Sequence, residues 1–227
     1  MKLIKLLFLY VHIIFSCGCS HNELPPVRLN DYYRDTKRME SYIKAQGIDK
    51  VTLVWSTEGP WSIDLSDSSA TNLDWSIGIF IDKLIISNAA IADLSPLKYQ
   101  KELRWLEANN TKIFDLSPLS QIKMLETLEI ENTKVDDLTP IRKIEIMDLN
   151  IKGIPCSDLS CIRLDKLRSI QLSLEPSNKW KGLERLRAIN NLIINRSMNN
   201  ATFWAKYDER FGSDKQVSKP IPGKDGE

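Results

Sequence analysis

Three short segments of this chain repeat at one spacing: Ile91-Ala-Asp-Leu-Ser-Pro-Leu97, Ile113-Phe-Asp-Leu-Ser-Pro-Leu119 and Val135-Asp-Asp-Leu-Thr-Pro-Ile141. Asp93, Asp115 and Asp137 each follow the last by 22 residues. A period of that length is too short for a domain and too regular for chance. It makes each repeat one turn of a solenoid, stable only when stacked on its neighbours. In each copy the Asp and Ser (or Thr) can bond nearby backbone N–H groups and start a tight turn. The proline then suits the first position of a short helical turn.

A second motif runs at the same period. The pattern apolar-x-x-apolar-x-apolar reads Ile81, Leu84, Ile86; Leu103, Leu106, Ala108; Leu125, Leu128, Ile130; Ile146, Leu149, Ile151; Leu167, Ile170, Leu172; and Ile189, Leu192, Ile194. A one-residue deletion precedes the fourth copy, and Asp158-Leu-Ser160 comes one residue early in agreement with it. Alternation sends successive strand side chains to opposite faces. Leu106 and Ala108 therefore point inward while Trp105 and Glu107 point out. Ile91, Ile113, Val135 and Cys156 form an inward ladder on the far side of the core.

These repeats resemble bacterial leucine-rich repeats of the 22-residue internalin type, over about residues 79–195. The resemblance implies a leucine-rich-repeat solenoid of α/β type, with a curved, short parallel β-sheet on the concave face and 3₁₀ turns on the convex face; helical caps at both ends are read from the flanking residues themselves. Internalin-type repeats carry an inward Asn at the end of the strand. Here the matching positions are Ala89, Thr111, Thr133 and Ile154. A threonine hydroxyl can partly replace that amide and Ile154 cannot, so an interruption of the ladder is expected at the fourth repeat.

The ends of the chain read differently. Met1-Lys-Leu-Ile-Lys5 is basic, Leu6 to Phe15 is apolar, and Ser16-Cys-Gly-Cys19 follows. This is the layout of a secretory signal peptide. It also resembles a bacterial lipoprotein signal over residues 1–18, with Cys19 as the lipidated residue and Cys17 as the alternative. By that resemblance, Ser20 after Cys19 implies outer-membrane sorting. Residues 19–29 read as a linker through Pro25-Pro26. Residues 30–78 read as an N-terminal cap: a helix started by Asn30 or Asp31, carrying Tyr32, Tyr33, Met39, Tyr42 and Ile43 and stopped by Gly47, then an irregular segment. In that segment Trp61, Ile63 and Leu65 alternate like a degenerate repeat. The stretch Ile48-x-x-Val51-x-Leu53 also matches the repeat's strand. Residues 196–212 read as a C-terminal capping helix with a Phe203, Trp204, Tyr207, Phe211 stripe, and residues 213–227 as a disordered tail.

Composition restricts the chemistry. The 227 residues carry a net charge of +1, which gives no general attraction to nucleic acid. The two histidines, His12 and His21, lie in the signal and linker, so no His-based base or triad is available in the body. No His/Cys cluster has zinc spacing and no glycine-rich phosphate loop occurs. No catalytic residue, cofactor or metal is expected. Cys156 and Cys161 have two readings: a disulfide closing their loop, or a buried ladder residue with Cys161 standing in place of the turn proline.

The candidate site is the row of outward strand positions. Glu107, Glu129, Glu131 and Asp148 gather near Trp105 and Thr127. Such a patch suits a basic protein surface with an aromatic anchor at one end. The expectation is a monomeric, non-enzymatic, lipid-anchored envelope protein that binds a partner protein through its concave face, as an immunity or inhibitor protein. Alternatives are an envelope scaffold or surface adhesin, and, more remotely, a hydrolase.

Overall fold

The computed structural model describes residues 36–55, 61–173, 180–189, 192–195 and 198–211. The signal segment with Cys17 and Cys19, the linker, Tyr32, Tyr33 and the tail lie outside the described residues, as do the side chain of Phe211 and Gly212. Among the described residues, no helix is long and apolar enough to cross a membrane.

One sheet runs the length of the body, its strands in chain order. They are β1 (Thr52–Trp55), β2 (Trp61–Asp64), β3 (Ile81–Ile85), β4 (Trp105–Glu107), β5 (Thr127–Glu129), β6 (Asp148–Asn150), β7 (Ser169–Gln171), β8 (Ile193–Ile194) and β9 (Met198–Asn199). β2 through β8 pair in parallel, and each end closes with an antiparallel pair, β1 with β2 and β8 with β9. The inward residues stack in register: Leu84 on Leu106, then Leu128, Leu149 and Ile170. All five are at most 1% exposed. Burying a side chain of this size stabilises by about 1.5–3 kcal/mol, which makes this ladder the backbone of the fold. Ile91, Ile113, Val135 and Cys156 are buried opposite it, as the pattern predicts.

The Asp-Leu-Ser/Thr-Pro segments turn as their chemistry dictates. The backbone N–H groups of Ser95, Ser117 and Thr139 donate to Asp93, Asp115 and Asp137 at 2.7–2.8 Å. Short 3₁₀ helices follow at Ser95–Tyr99, Ser117–Gln121 and Thr139–Ile141, each with its proline in the first turn. Ser160 repeats the Asp158 bond at 2.7 Å, but with Cys161 in the proline's place no 3₁₀ helix is formed there. The bond from Ser95 holds the Asp93 carboxyl below its usual range, and the bond from Thr139 does so for Asp137.

Two parts of the pattern read differently in three dimensions. Val51 and Leu53 match the repeat's strand in sequence, yet β1 pairs with β2 antiparallel. Val51 and Leu53 are only half-buried and Val54 is 60% exposed, so β1 is a lid on the first turn rather than a turn itself. The first true repeat is the irregular segment: β2 lies parallel to β3, with Trp61, Ile63 and Leu65 fully buried. At the other end, a uniform period would set Asn191 beside Ser169, Ile193 beside Gln171 and Asn195 beside Ser173. Instead Ser169 pairs with Ile193 and Ile170 with Ile194. The preceding turn is longer: Asp158 bridges Lys181 across 23 positions and Ser169 pairs with Ile193 across 24, and a 3₁₀ helix spans Leu183–Ala188.

The caps are helical. Helix α1 (Thr36–Lys44) buries Met39 and Ile43, and the Tyr42 hydroxyl donates to the Trp75 carbonyl at 3.3 Å. Helix α2 (Asn200–Phe211) starts at a cap from Asn199, whose side-chain oxygen accepts the Thr202 N–H at 2.8 Å. It buries Phe203 and Trp204, with Tyr207 stacked on Phe203 and edge-on to Trp204. The Arg187 guanidinium lies 3.7 Å over the Trp204 ring and bonds Asp208 at 2.6 Å, which fixes the helix against the last turn.

Candidate functional site

The strand register fixes which side chains share the open face. One row reads Lys83, Trp105, Thr127, Asp148, Ser169; the next reads Ile85, Glu107, Glu129, Asn150, Gln171. Every sequence-predicted contact residue in β4–β6 therefore sits on one surface, with Glu131 at the turn just after β5. Neighbouring strands lie about 4.8 Å apart, so Glu107 and Glu129 are close enough to repel.

Polar neighbours offset that repulsion. The Ser87 hydroxyl donates to Glu107 at 3.0 Å, and the Asn109 amide donates to Glu129 at 3.2 Å. Asn150, only 1% exposed, donates to Glu131 at 3.1 Å, and the Lys152 ammonium lies 3.3 Å from the same carboxylate. The amide oxygens of Asn109 and Asn150 accept the Glu131 and Lys152 backbone N–H groups, so the donors are themselves held. The three glutamates are thus presented in fixed directions on a stiff sheet. The sequence points to the carboxylates and misses these donors. Ser87 and Asn109 each stand two residues past the end of a strand, which is the signal that would have revealed them, while Asn150 is the last residue of β6 itself.

Trp105 is half-buried, and the Lys83 ammonium stands 3.8 Å from its ring centroid. Its indole N–H is shielded from solvent and finds no acceptor among the described residues. Thr127 is more buried than an outward residue would be on a flat sheet, at 5% exposure. Asp148 is half-buried, and burial raises its carboxyl above the usual range, against the pull of Arg168 and with the repulsion of Glu129 and Glu126.

On one edge of the sheet the asparagines that follow the strands form a ladder. Asn88, Asn110 and Asn132 have φ of 62°, 56° and 56°. Their amides donate in series, Asn132 to Asn110, Asn110 to Asn88 and Asn88 to Asp67, at 2.8–2.9 Å. Thr111 and Thr133 hydroxyls close their own turns by donating to the Ala108 and Ile130 carbonyls at 2.8 Å. At the fourth repeat the strand pairing continues, but the Gly153 N–H donates to the Ser173 hydroxyl instead of a backbone carbonyl.

Cys156 is buried and Cys161 half-buried, both as thiols in this structure, and burial raises both above the usual thiol range. Among the described residues no group of His, Cys, Asp and Glu is placed to hold a metal ion.

No protein-family model and no curated protein sequence matches the chain. Among solved structures it is similar to internalin C2 of Listeria monocytogenes str. 4b F2365, at 25% identity over 46% of this chain and 48% of that one, with a TM-score of 0.45. It is also similar to an internalin (inlF) of the same organism, at 18% identity over 77% and 59%, TM-score 0.45. A third is the leucine-rich-repeat ectodomain of the receptor kinase SOBIR1 from Arabidopsis thaliana, at 14% identity over 61% and 91%, TM-score 0.43. The chain spans about half the length of the internalin C2 chain it matches. Its own register, turns and ladders are what assign the architecture: the described chain is a leucine-rich-repeat solenoid, with a continuous sheet on one side, short 3₁₀ turns on the other and a helix at each end.

Proposed function

We propose that this protein binds a basic partner protein through the open face of its sheet, without catalysis. The observation that carries this reading is that Glu107, Glu129 and Glu131 are each held by a donor from a neighbouring strand or turn. Carboxylates fixed before encounter lose little side-chain entropy on binding, and an acidic patch steers and aligns a positively charged surface. A side chain kept merely for solubility needs no such support.

The N-terminal sequence supports a finer version: anchoring in a bacterial envelope through lipidated Cys19, with the body acting as an immunity or inhibitor protein against a basic toxin or hydrolase. An anchor of this kind needs more than one acyl chain to hold durably. Cys19→Ala is expected to release the protein from membranes; retention would assign the anchor to Cys17 or to a spanning segment.

The binding reading is tested by comparing the chain with its Glu107→Lys, Glu129→Lys variant as immobilised bait for envelope extract. The expected result is a set of basic proteins retained at low salt, lost at 0.5 M salt and absent from the variant, because screening over about 10 Å at 0.1 M salt weakens exposed charge pairs. Identical retention by the two baits would contradict the reading.

A further inference from the structure

The edge of the sheet where the strands begin carries a site of the opposite charge. Met147 leads into β6 and Arg168 into β7, and the Arg168 N–H donates to the Met147 carbonyl at 2.7 Å. The next turn is longer: Ser169 pairs with Asp148 across 21 positions and with Ile193 across 24. Between these turns lies a hollow of about 550 Å³. Its apolar lining is Met147, Leu164, Leu167 and Ile189. Leu167 is buried, and the other three are half-buried, so part of each is still uncovered.

The rim is cationic. Lys166, Arg168 and Arg185 stand against one carboxylate, Asp165, and all four are exposed, so the hollow is open on that side. Asp165 is already held by the Arg163 guanidinium at 2.7 Å. Arg185 is committed too: its guanidinium donates to the Leu159, Ser160 and Ile162 carbonyls at 2.8–3.2 Å. Lys166 and Arg168 remain. Among the described residues neither side chain has a hydrogen bond or an ion pair, and Asp148 meets Arg168 only through space. Leu167 between them turns inward, which leaves both cations at the rim.

Unpaired surface cations are ordinary, and so are half-covered leucines. Their convergence on one hollow is a demand for a group that joins an apolar body to an anion. The volume is that of a small-molecule pocket and not of a groove for a passing chain. A carboxyl-terminal residue meets both demands from one α-carbon. An internal Asp or Glu uses its own side chain for the anion and needs a neighbour for the apolar body.

We propose that this hollow receives the carboxyl-terminal residue of the partner protein, its apolar side chain against Met147, Leu164 and Ile189 and its carboxylate paired with Lys166 and Arg168. Two charged donors make such a bond stronger than a neutral one, and covering the apolar lining adds to it. The inference rests on the reading that the open face binds a protein, and it adds a second contact of opposite sign. A partner with cations over Glu107 and Glu129 and its terminal carboxylate at this edge can dock in one orientation only, because reversal sets like charges together.

The test titrates the chain, carbon-13 labelled at its methyl groups, with an acetylated glycine–serine hexapeptide ending in leucine. The peptide is used as the free acid and as the terminal amide, and a third peptide ends in serine as the free acid. The leucine acid is expected to shift the methyl signals of Met147, Leu164, Leu167 and Ile189, and to bind about tenfold more tightly than the amide, in line with bonds to a charged group. The serine acid is expected to bind more weakly than the leucine acid, for want of the apolar contact. In Lys166→Gln, Arg168→Gln the acid and the amide are expected to bind alike, and both positions are exposed, so the fold is expected to hold. Glu107→Gln, Glu129→Gln is expected to leave the titration unchanged. Equal binding of acid and amide by the native chain, no shift at these methyl groups, or loss of binding in the Glu107→Gln, Glu129→Gln variant would overturn the hollow. Retention of basic proteins from envelope extract would then still stand as the separate test of the open face.

Discussion

The side-chain oxygen of Asn132 fills the place where a β-carbon would stand at Gly153; an added carbon there would lie 2.1 Å from it. Gly153 also has φ of 71°, a region that side-chain-bearing residues other than Asn and Asp avoid. The asparagine ladder therefore ends at this glycine by necessity. Gly153→Ala is expected to destabilise the chain by about 1–3 kcal/mol through backbone strain and displacement of Asn132. Thermal unfolding measures it, and an unchanged midpoint would show that the ladder's end is slack.

The middle of the same ladder makes a complementary prediction. Asn110 both donates to Asn88 and accepts from Asn132, at φ of 56°. Asn110→Ala is expected to cost about 2 kcal/mol, and Asn110→Gly less, because glycine keeps the left-handed turn while losing only the bonds. Equal losses would mean that the side-chain bonds matter and the backbone conformation does not.

The turn at Asp158 predicts a pH response. Its carboxyl is lowered to about 2 by the bond from Lys181 and then by those from Ser160. A lowered carboxyl favours the ionised form in the folded chain. Its contribution is therefore full above the ordinary value of 3.8 and is lost as pH falls toward 2. A carboxyl-carbon NMR titration of Asp158 should show a midpoint near 2, moving back toward the ordinary value in Lys181→Met. A midpoint near 3.8 in the native chain would contradict the geometry of this turn.

The cysteines predict a labelling order. Burial raises both thiols, which lowers the reactive thiolate fraction at neutral pH. Iodoacetamide is expected to modify both more slowly than a free cysteine, with half-buried Cys161 ahead of Cys156 when sites are mapped by peptide mass. Complete resistance of both until a reductant is added would show that they are bonded in the isolated protein.

Much of this was legible because a solenoid converts a linear period directly into stacking. The 22-residue spacing places Leu106 on Leu128 without any long-range inference, and the Asp-Leu-Ser-Pro turns follow from side-chain chemistry within three residues. The failures have one physical origin. A strand-like pattern such as Val51-x-Leu53 states which face is apolar and says nothing of direction, so β1 could be matched to a repeat while running antiparallel. In the same way, extra residues in a turn leave the apolar pattern intact and shift Ile193 onto Ser169. The acidic row could be listed from alternation alone. The donors that hold its glutamates could not, because a bond such as that from Asn150 to Glu131 is recognised only when the register of their strands is known.

Asp148 decides between a face built for stability and one built for binding. Its carboxyl is raised chiefly by burial; Arg168 opposes this and Glu129 and Glu126 add to it. A raised carboxyl means that the fold favours the protonated form, so its negative charge opposes folding once pH exceeds its value in the native chain. The most direct measurement pairs thermal unfolding at pH 7 with hexa-arginine binding for the native chain and Asp148→Asn. The account predicts a variant that melts higher and binds this basic peptide more weakly. A variant that melts lower, or binds as well as the native chain, would contradict it.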